Sequence, residues 1–306
     1  MARVKVVSPG LLTSVQDRGR YGYEHLGIMV SGVLDDFAAT WANQLLGNLP
    51  GAAVLEATLL GPTLEALDPG FISLAGADLG ATVDGTPWQP GTVRHLEPGS
   101  RVQFSGRRRG ARAYIGFAGG IDVPEVLGSR STDLVAGFGG LHGRRLAAGD
   151  VLEYADGSVR NIEAAAVDTC LARDAVRILP GMRIDRFPEG TLQALVAQDY
   201  TVSAHSDRVG LRLQGVPLSG APPRGDAVSE GMAIGSVQLP PEGEPLILLK
   251  SRGTIGGYST IAHVITADLA ALAQFVPGDR VSFEVVELPE ALDALRRQRA
   301  LLETLA

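Results

Sequence analysis

The chain has 306 residues, 45% of them apolar and 20% charged, enough to bury one large core or two of medium size. Its formal net charge of −7 argues against a nucleic-acid partner, because phosphate binding asks for a basic face. A lone Cys170 excludes an intrachain disulfide, and no apolar run approaches the ~18 residues of a bilayer span.

The amino terminus, Met1 to Lys5, passes straight into an extended pattern without the apolar core of a signal peptide, so a cytoplasmic protein is expected. Thirty-nine glycines and 18 prolines recur between brief apolar runs, a spacing that favours many short strands in a barrel or sandwich. Val4–Val7 is the first strand candidate. It leads into a polar, glycine-rich segment, Ser14 to Gly32, that holds Asp17, Arg18, Arg20 and His25. There glycines let a backbone approach a ligand while the charged groups supply charge and proton transfer; the alternative is a surface loop pinned by Asp17 against an arginine.

Asp35 caps a predicted helix that runs to Leu46, with Phe37, Trp41 and Leu45 stacked at four-residue intervals and Gly47 as the stop. Phe71–Leu74 and Arg112–Phe117 follow as strands. Between them Pro98-Gly99-Ser100-Arg101-Val102-Gln103-Phe104 resembles the later Pro277-Gly278-Asp279-Arg280-Val281-Ser282-Phe283, with a looser echo from Ala148 to Leu152. Either tight turns share residues by chance, or two lobes are duplicated. A second polar segment spans Gly119 to Gly140, where Asp133 and nearby hydroxyls are expected to order the loop by hydrogen bonds to backbone amides. The alanine-rich stretch from Asp156 to Asp174 is the best linker candidate.

Beyond it, Val176–Leu179 is a strand and a helix begins near Pro188, carrying Leu192, Leu195 and Val196. The third polar segment, His205 to Leu213, places Ser206, Asp207 and Arg208 at the mouth of a strand, where they either bind a ligand or lock the loop. Leu246–Leu249 is an apolar strand that emerges into the fourth segment, Lys250-Ser251-Arg252-Gly253-Thr254-Ile255-Gly256-Gly257-Tyr258-Ser259-Thr260. Two cations, paired glycines and a tyrosine suit a carboxylate; the plainer alternative is a hairpin whose tyrosine packs. Lys250 and Lys5 are the only lysines. A short helix near Asp268 to Gln274, the strand Val281–Val286 and a helix from Pro289 with Leu292, Leu295 and Leu302 on one side complete the chain.

The usual phosphate-binding loop, a Gly-x-Ser-x-Gly elbow and a biotinylation context are all absent from the sequence. His25, His95, His142, His205 and His263 are scattered without metal-ligand spacing, so no metal site is expected.

The polar segments, in their order, resemble the family of the C-type subunit of 5-oxoprolinase, also described as allophanate hydrolase subunit 2 or KipA-type proteins. The resemblance runs from about Val7 to Val286. It rests on Ser8-Pro9-Gly10-Leu11-Leu12, Val15-Gln16-Asp17-x-Gly19-Arg20, Ala42-Asn43-x-x-Leu46-Gly47-Asn48, Leu55-Glu56 with Gly61-Pro62, Gly119-Gly120-Ile121, Ser206-Asp207-Arg208 and Gly256-Gly257-Tyr258. It implies a mainly β, cyclophilin-like β-barrel architecture, with one carboxyltransferase-like barrel lobe over 1–160, a second over 175–288 and a C-terminal helix over 289–306.

The resemblance also implies membership of an ATP-dependent complex that opens 5-oxoproline to L-glutamate. The partner it implies is the B-type subunit of 5-oxoprolinase, the KipI-type protein, with the A-type subunit completing the assembly. Other members of the family imply carboxyl transfer from a carrier's carboxybiotin to urea or a related amide, or a non-enzymatic antagonist of a histidine-kinase inhibitor. No covalently bound cofactor is expected on this chain; ATP acts in the assembled complex. The candidate residues are His25 and Tyr258 for hydrogen bonding or proton transfer, and Asp17, Arg208, Lys250, Arg252, Gly256 and Gly257 for substrate binding. The chain departs from the family pattern at Met29, where proline is usual, and at Ser251 and Gly253, where aspartate and glutamine are usual.

Overall fold

The computed structural model describes residues 1–155, 173, 175–219 and 229–304. The protein is mainly β, with 35% strand against 16% helix. It divides into two compact units, Met1–Arg20 with Ser31–Leu171 and Ala300–Ala306, and Tyr21–Val30 with Ala172–Arg299. The expected linker and Cys170 lie outside the described residues, Arg173 excepted.

In the first unit a seven-stranded sheet runs in the order Ile121–Asp122, Val151–Tyr154, Ala2–Ser8, Thr63–Ala66, Arg101–Phe104, Ala81–Val83, Thr86–Pro87. Alternation is clear in Ala2–Ser8, whose Ala2, Val4 and Val6 are buried while Arg3 and Lys5 face solvent. A five-stranded sheet follows the order Leu12–Gln16, Val54–Thr58, Arg109–Phe117, Gly70–Asp78, Thr92–Leu96. Its central strand, Arg109–Phe117, is buried at every residue after the first, because it has a strand on each side and a helix against it. That helix spans Asp36–Leu45, and the Asp35 carboxylate accepts from the Ala38 amide at 2.8 Å as a cap.

The second unit is built on a closed barrel in the order Ala175–Pro180, Thr260–Val264, Ser236–Gln238, Leu246–Leu248, Gly210–Gln214, Tyr200–Val202, Arg280–Val285. Closure comes from a parallel pairing of the last strand with the first, Val176 opposite Phe283. A separate ribbon pairs Glu230–Gly231 with Ile255–Gly256. All six predicted strands are present, although most extend beyond the expected limits.

The repeated turn has a common physical basis. Gly99, Gly149 and Gly278 have φ of 89°, 93° and 92°. Each donates its amide at 2.8 Å to a carbonyl on the preceding paired strand, at Ala66, Val6 and Val202 respectively. The side chain of the next residue, Ser100, Asp150 or Asp279, then accepts from the amide three residues earlier. Left-handed backbone and a short polar acceptor are what the shared Gly-Ser/Asp pair provides.

Two helices differ from expectation. The one near Pro188 starts later, at Thr191–Val196, after Gly190 at φ 86°. The C-terminal helix, Leu288–Glu303, buries Ala291 and Ala294 most deeply; of the predicted leucine stripe, Leu295 and Leu302 are half-buried and Leu292 is exposed. The two alanines pack on Ile265, Ala267 and Val286, where a small side chain allows the helix backbone to come close. No helix among the described residues is long and apolar enough to cross a membrane.

Candidate functional site

The four polar segments take different structural parts. In the first unit, the Asp17 carboxylate accepts from the Gly19 and Arg130 amides, at 2.8 and 2.6 Å, and from the hydroxyls of Ser129 and Ser131. Its oxygens thereby tie the start of the first segment to the second, through backbone amides and hydroxyls. Asp133 Oδ1 similarly accepts from the Val135 and Ala136 amides. Arg20 is fully buried, with its guanidinium 4.6 Å from the centre of the Phe138 ring, and burial lowers its pKa against the opposing charges of Asp133 and Asp17.

The remaining candidates lie in the second unit. The Asp207 carboxylate closes a turn by accepting from the Val209 and Gly210 amides, at 2.7 and 3.2 Å. Beside that turn the backbone amides of Leu249 and Ser251 donate to the carbonyls of Val209 and Arg208. This pairing holds Arg208 next to Lys250 and Ser251, at the end of the barrel strand Leu246–Leu248, and all three side chains are buried.

Arg252 follows, also buried, and its Nε donates to the Met232 carbonyl at 2.6 Å. Burial lowers its pKa, opposed by Glu24 and Tyr21. Both of these residues come from the Tyr21–Val30 excursion, which forms a short 3₁₀ turn at Glu24–Leu26. Tyr21 sets its ring centre 6.0 Å from Lys250 Nζ. The Glu24 carboxyl is held low by its own backbone amide, with further help from the Gly22 amide and Arg252. His25 stands exposed on this turn.

A cavity of about 400 Å³ opens next to the Arg252 segment. Its apolar wall is Val209, Leu246, Leu248 and Met232; Gln238, Ser229 and Tyr258 bring polar groups, and Gly253, Gly256 and Gly257 bring backbone. The structure thus gathers Gly256, Gly257 and Tyr258 at one cavity, with Arg252 adjoining it through Gly253. Arg208, Lys250 and His25 are not part of that wall, and Asp17 belongs to the other unit. Tyr258 also borders a second groove, of about 650 Å³, with His205 and Arg212.

Sequence reasoning missed Met232 and Gln238. Gln238 Nε2 lies 3.2 Å from the Tyr258 carbonyl and 3.5 Å from Met232 Sδ, so it ties the cavity wall together. Gln238 is brought here by the barrel strand Ser236–Gln238, and Met232 by the ribbon that pairs Glu230–Gly231 with Ile255–Gly256, contacts that neither residue's own neighbours along the chain reveal. Among the described residues no group of three metal-ligating side chains occurs.

The model of the carboxyltransferase domain, subdomain A and B, matches residues 26–285. The chain belongs to that family. It is 38% identical to the C-type subunit of the Escherichia coli 5-oxoprolinase over 303 residues, which are 99% of this chain and 97% of the relative. Among solved structures, the protein TTHA0988 superposes with a TM-score of 0.82 at 36% identity, over 93% of this chain and 56% of that one. The Kluyveromyces lactis urea amidolyase superposes with a TM-score of 0.87 at 28% identity, over 99% of this chain and 20% of the amidolyase. The chain therefore spans about half of the first solved protein and a fifth of the second.

Proposed function

We propose that this carboxyltransferase-family chain is the C-type subunit of a 5-oxoprolinase complex, which hydrolyses the lactam of 5-oxoproline to L-glutamate at the expense of ATP. The match to the E. coli protein, 38% identical over 97% of that relative, supports this reading. The observation that carries it is the small cavity of the second unit, with a buried arginine at its edge. Such a cavity accepts a compact, mostly apolar ring, and the arginine answers its one carboxylate.

Arg252 is the carboxylate partner. Its Nε is committed to the Met232 carbonyl, which fixes the plane of the guanidinium and leaves the terminal NH₂ groups as the fork that carboxylates accept. Arg208 and Lys250 add positive charge on the neighbouring buried segment. Asp17 contributes indirectly, by ordering the loops of the first unit. Tyr258, at the wall, is the donor toward the lactam carbonyl, and Gly256 and Gly257 let backbone amides approach it. His25, exposed on its turn, is the second proton-transfer group.

ATP is assigned to the partner proteins. This chain has no phosphate-cradling glycine loop, and the wall of its cavity is largely aliphatic, which does not suit a triphosphate. The partners are the B-type subunit of 5-oxoprolinase, the KipI-type protein, and the A-type subunit, all in the cytoplasm. A second reading, carboxyl transfer from a carrier's carboxybiotin to urea or a related amide, is favoured by the amidolyase superposition.

The test is steady-state kinetics of the complex reconstituted from this chain and its partner proteins. ATP-dependent glutamate release from 5-oxoproline is expected, and Arg252→Ala should weaken kcat/KM by about 1.5–3 kcal/mol, the range for hydrogen bonds to a charged group. Carboxylation of urea by a carboxybiotin donor, with no lactam opening, would replace this reading by the second. Wild-type kinetics in the Arg252 variant would remove it from the site.

A further inference from the structure

Gly256 lacks the left-handed backbone that explains so many glycines in this protein. Its reason is steric. A Cβ built on Gly256 would lie 2.3 Å from Met232 Sδ and 3.0 Å from Met232 Cε, so the missing side chain is the space that the thioether occupies. Gly253 repeats the relation more loosely, with Met232 Cε 3.3 Å from its Cβ position.

Methionine is normally an adaptable gap-filler. Here it is held at several points. Its amide donates to the Thr254 carbonyl at 3.0 Å, its carbonyl accepts from Arg252 Nε, and its sulfur lies 3.5 Å from Gln238 Nε2. The same residue thus fixes the arginine at the edge of the cavity and supplies part of the cavity's wall.

We propose that Met232 is the specificity-determining residue of this site: its side chain, seated over Gly256, sets the width of the cavity and restricts it to a five-membered lactam carboxylate. The inference rests on the lactam-opening function proposed above. The six-membered homologue, 6-oxopiperidine-2-carboxylate, carries one more methylene along the ring edge, and where an apolar side chain closes on that edge a single methylene discriminates about 10–200-fold. Met232 lines the cavity wall with a thioether that neither donates nor moves a proton, so its replacement should change which ring is accepted more than how the amide is cleaved.

The experiment measures kcat/KM of the reconstituted complex for both lactams. Met232→Ala is expected to raise the ratio of six-membered to five-membered lactam by at least about tenfold over wild type. Met232→Leu keeps the volume and should retain the wild-type preference. Gly256→Ala should lower activity on both rings by displacing the thioether, and Met232→Ala in the same chain should restore it, a coupling that independent sites would not show. Melting curves identify variants that fail to fold; if Met232→Ala does, Met232→Val takes its place with the same expected direction. An unchanged ring-size ratio in a folded, active Met232→Ala complex overturns the assignment of Met232 and leaves the lactam reading intact. A wild-type complex that opens neither lactam overturns both.

Discussion

Tyr114→Phe tests how the helix Asp36–Leu45 is anchored on its sheet. Tyr114 is fully buried opposite Glu56 on the neighbouring strand. Its hydroxyl donates to Glu56 Oε2 at 2.9 Å and accepts from the Asp35 amide at 2.9 Å, just where Asp35 caps the helix. The phenylalanine ring refills the same space, so no cavity term enters. The variant loses one hydrogen bond to a carboxylate and one to a backbone amide, together about 2–4 kcal/mol.

The assay is urea denaturation followed by tryptophan fluorescence. Trp41 and Trp88 are the only tryptophans and both lie in the first unit, so the signal isolates its transition in a chain of two units. Burial, with the charges of Glu56 and Asp35, raises the phenol pKa well above its ordinary value near 10. A group with a raised folded pKa contributes its full stability below the unfolded pKa and loses it as pH climbs beyond. The gap between wild type and variant should therefore hold to pH 10 and narrow above it. A loss under about 1 kcal/mol at pH 7 would show that the phenol is a packing group and not an anchor.

Two further outcomes concern the second unit. Asp268 is wholly buried and accepts from the Arg177 amide, Nε and Nη2, at 2.9, 3.0 and 2.6 Å, a bond that raises the pKa of Arg177. Asp268→Ala should cost about 3–5 kcal/mol, read from the far-ultraviolet circular dichroism transition that tryptophan does not report; a loss below about 1 kcal/mol would refute a structural clamp. His263, with Nδ1 3.3 Å from Ser236 Oγ, has its pKa lowered by burial, Glu230 opposing. Its unfolded form takes up a proton first, so stability should fall as pH drops below about 6.5, and His263→Gln should remove that increment in urea midpoints at pH 7.5 and 5.5. Equal pH dependence in the two proteins would refute it.

Much of the fold was legible because its determinants are local. Asp35 and Gly47 punctuate one helix, and Ala2 to Ser8 alternates as a half-buried strand must. The Gly-Ser/Asp pairs at 99, 149 and 278 dictate the same turn three times. In the C-terminal helix the leucine pattern told only part of the packing: Leu295 and Leu302 are half-buried and Leu292 is exposed, while Ala291 and Ala294 make the close approach to Ile265 and Val286. Within the candidate site, Arg252 and Tyr258 stood out as chemistry-bearing groups beside glycines. The loop locks formed by Asp17 and Asp207 look the same in sequence as ligand-binding aspartates, since both uses require an unhindered carboxylate.

The sequence by itself determined the mainly β class, the position of the polar segments and the family to which they belong, because turn chemistry, strand alternation and ordered motifs are properties of neighbouring residues. Tertiary structure alone decided which glycine serves backbone and which serves space. It brought Met232 over Gly256, set Glu24 and Tyr21 to oppose the desolvation of Arg252, and closed the barrel by pairing Val176 with Phe283. Each of these joins residues distant along the chain, and such contacts are fixed by how the strands close and pack, which no local pattern encodes.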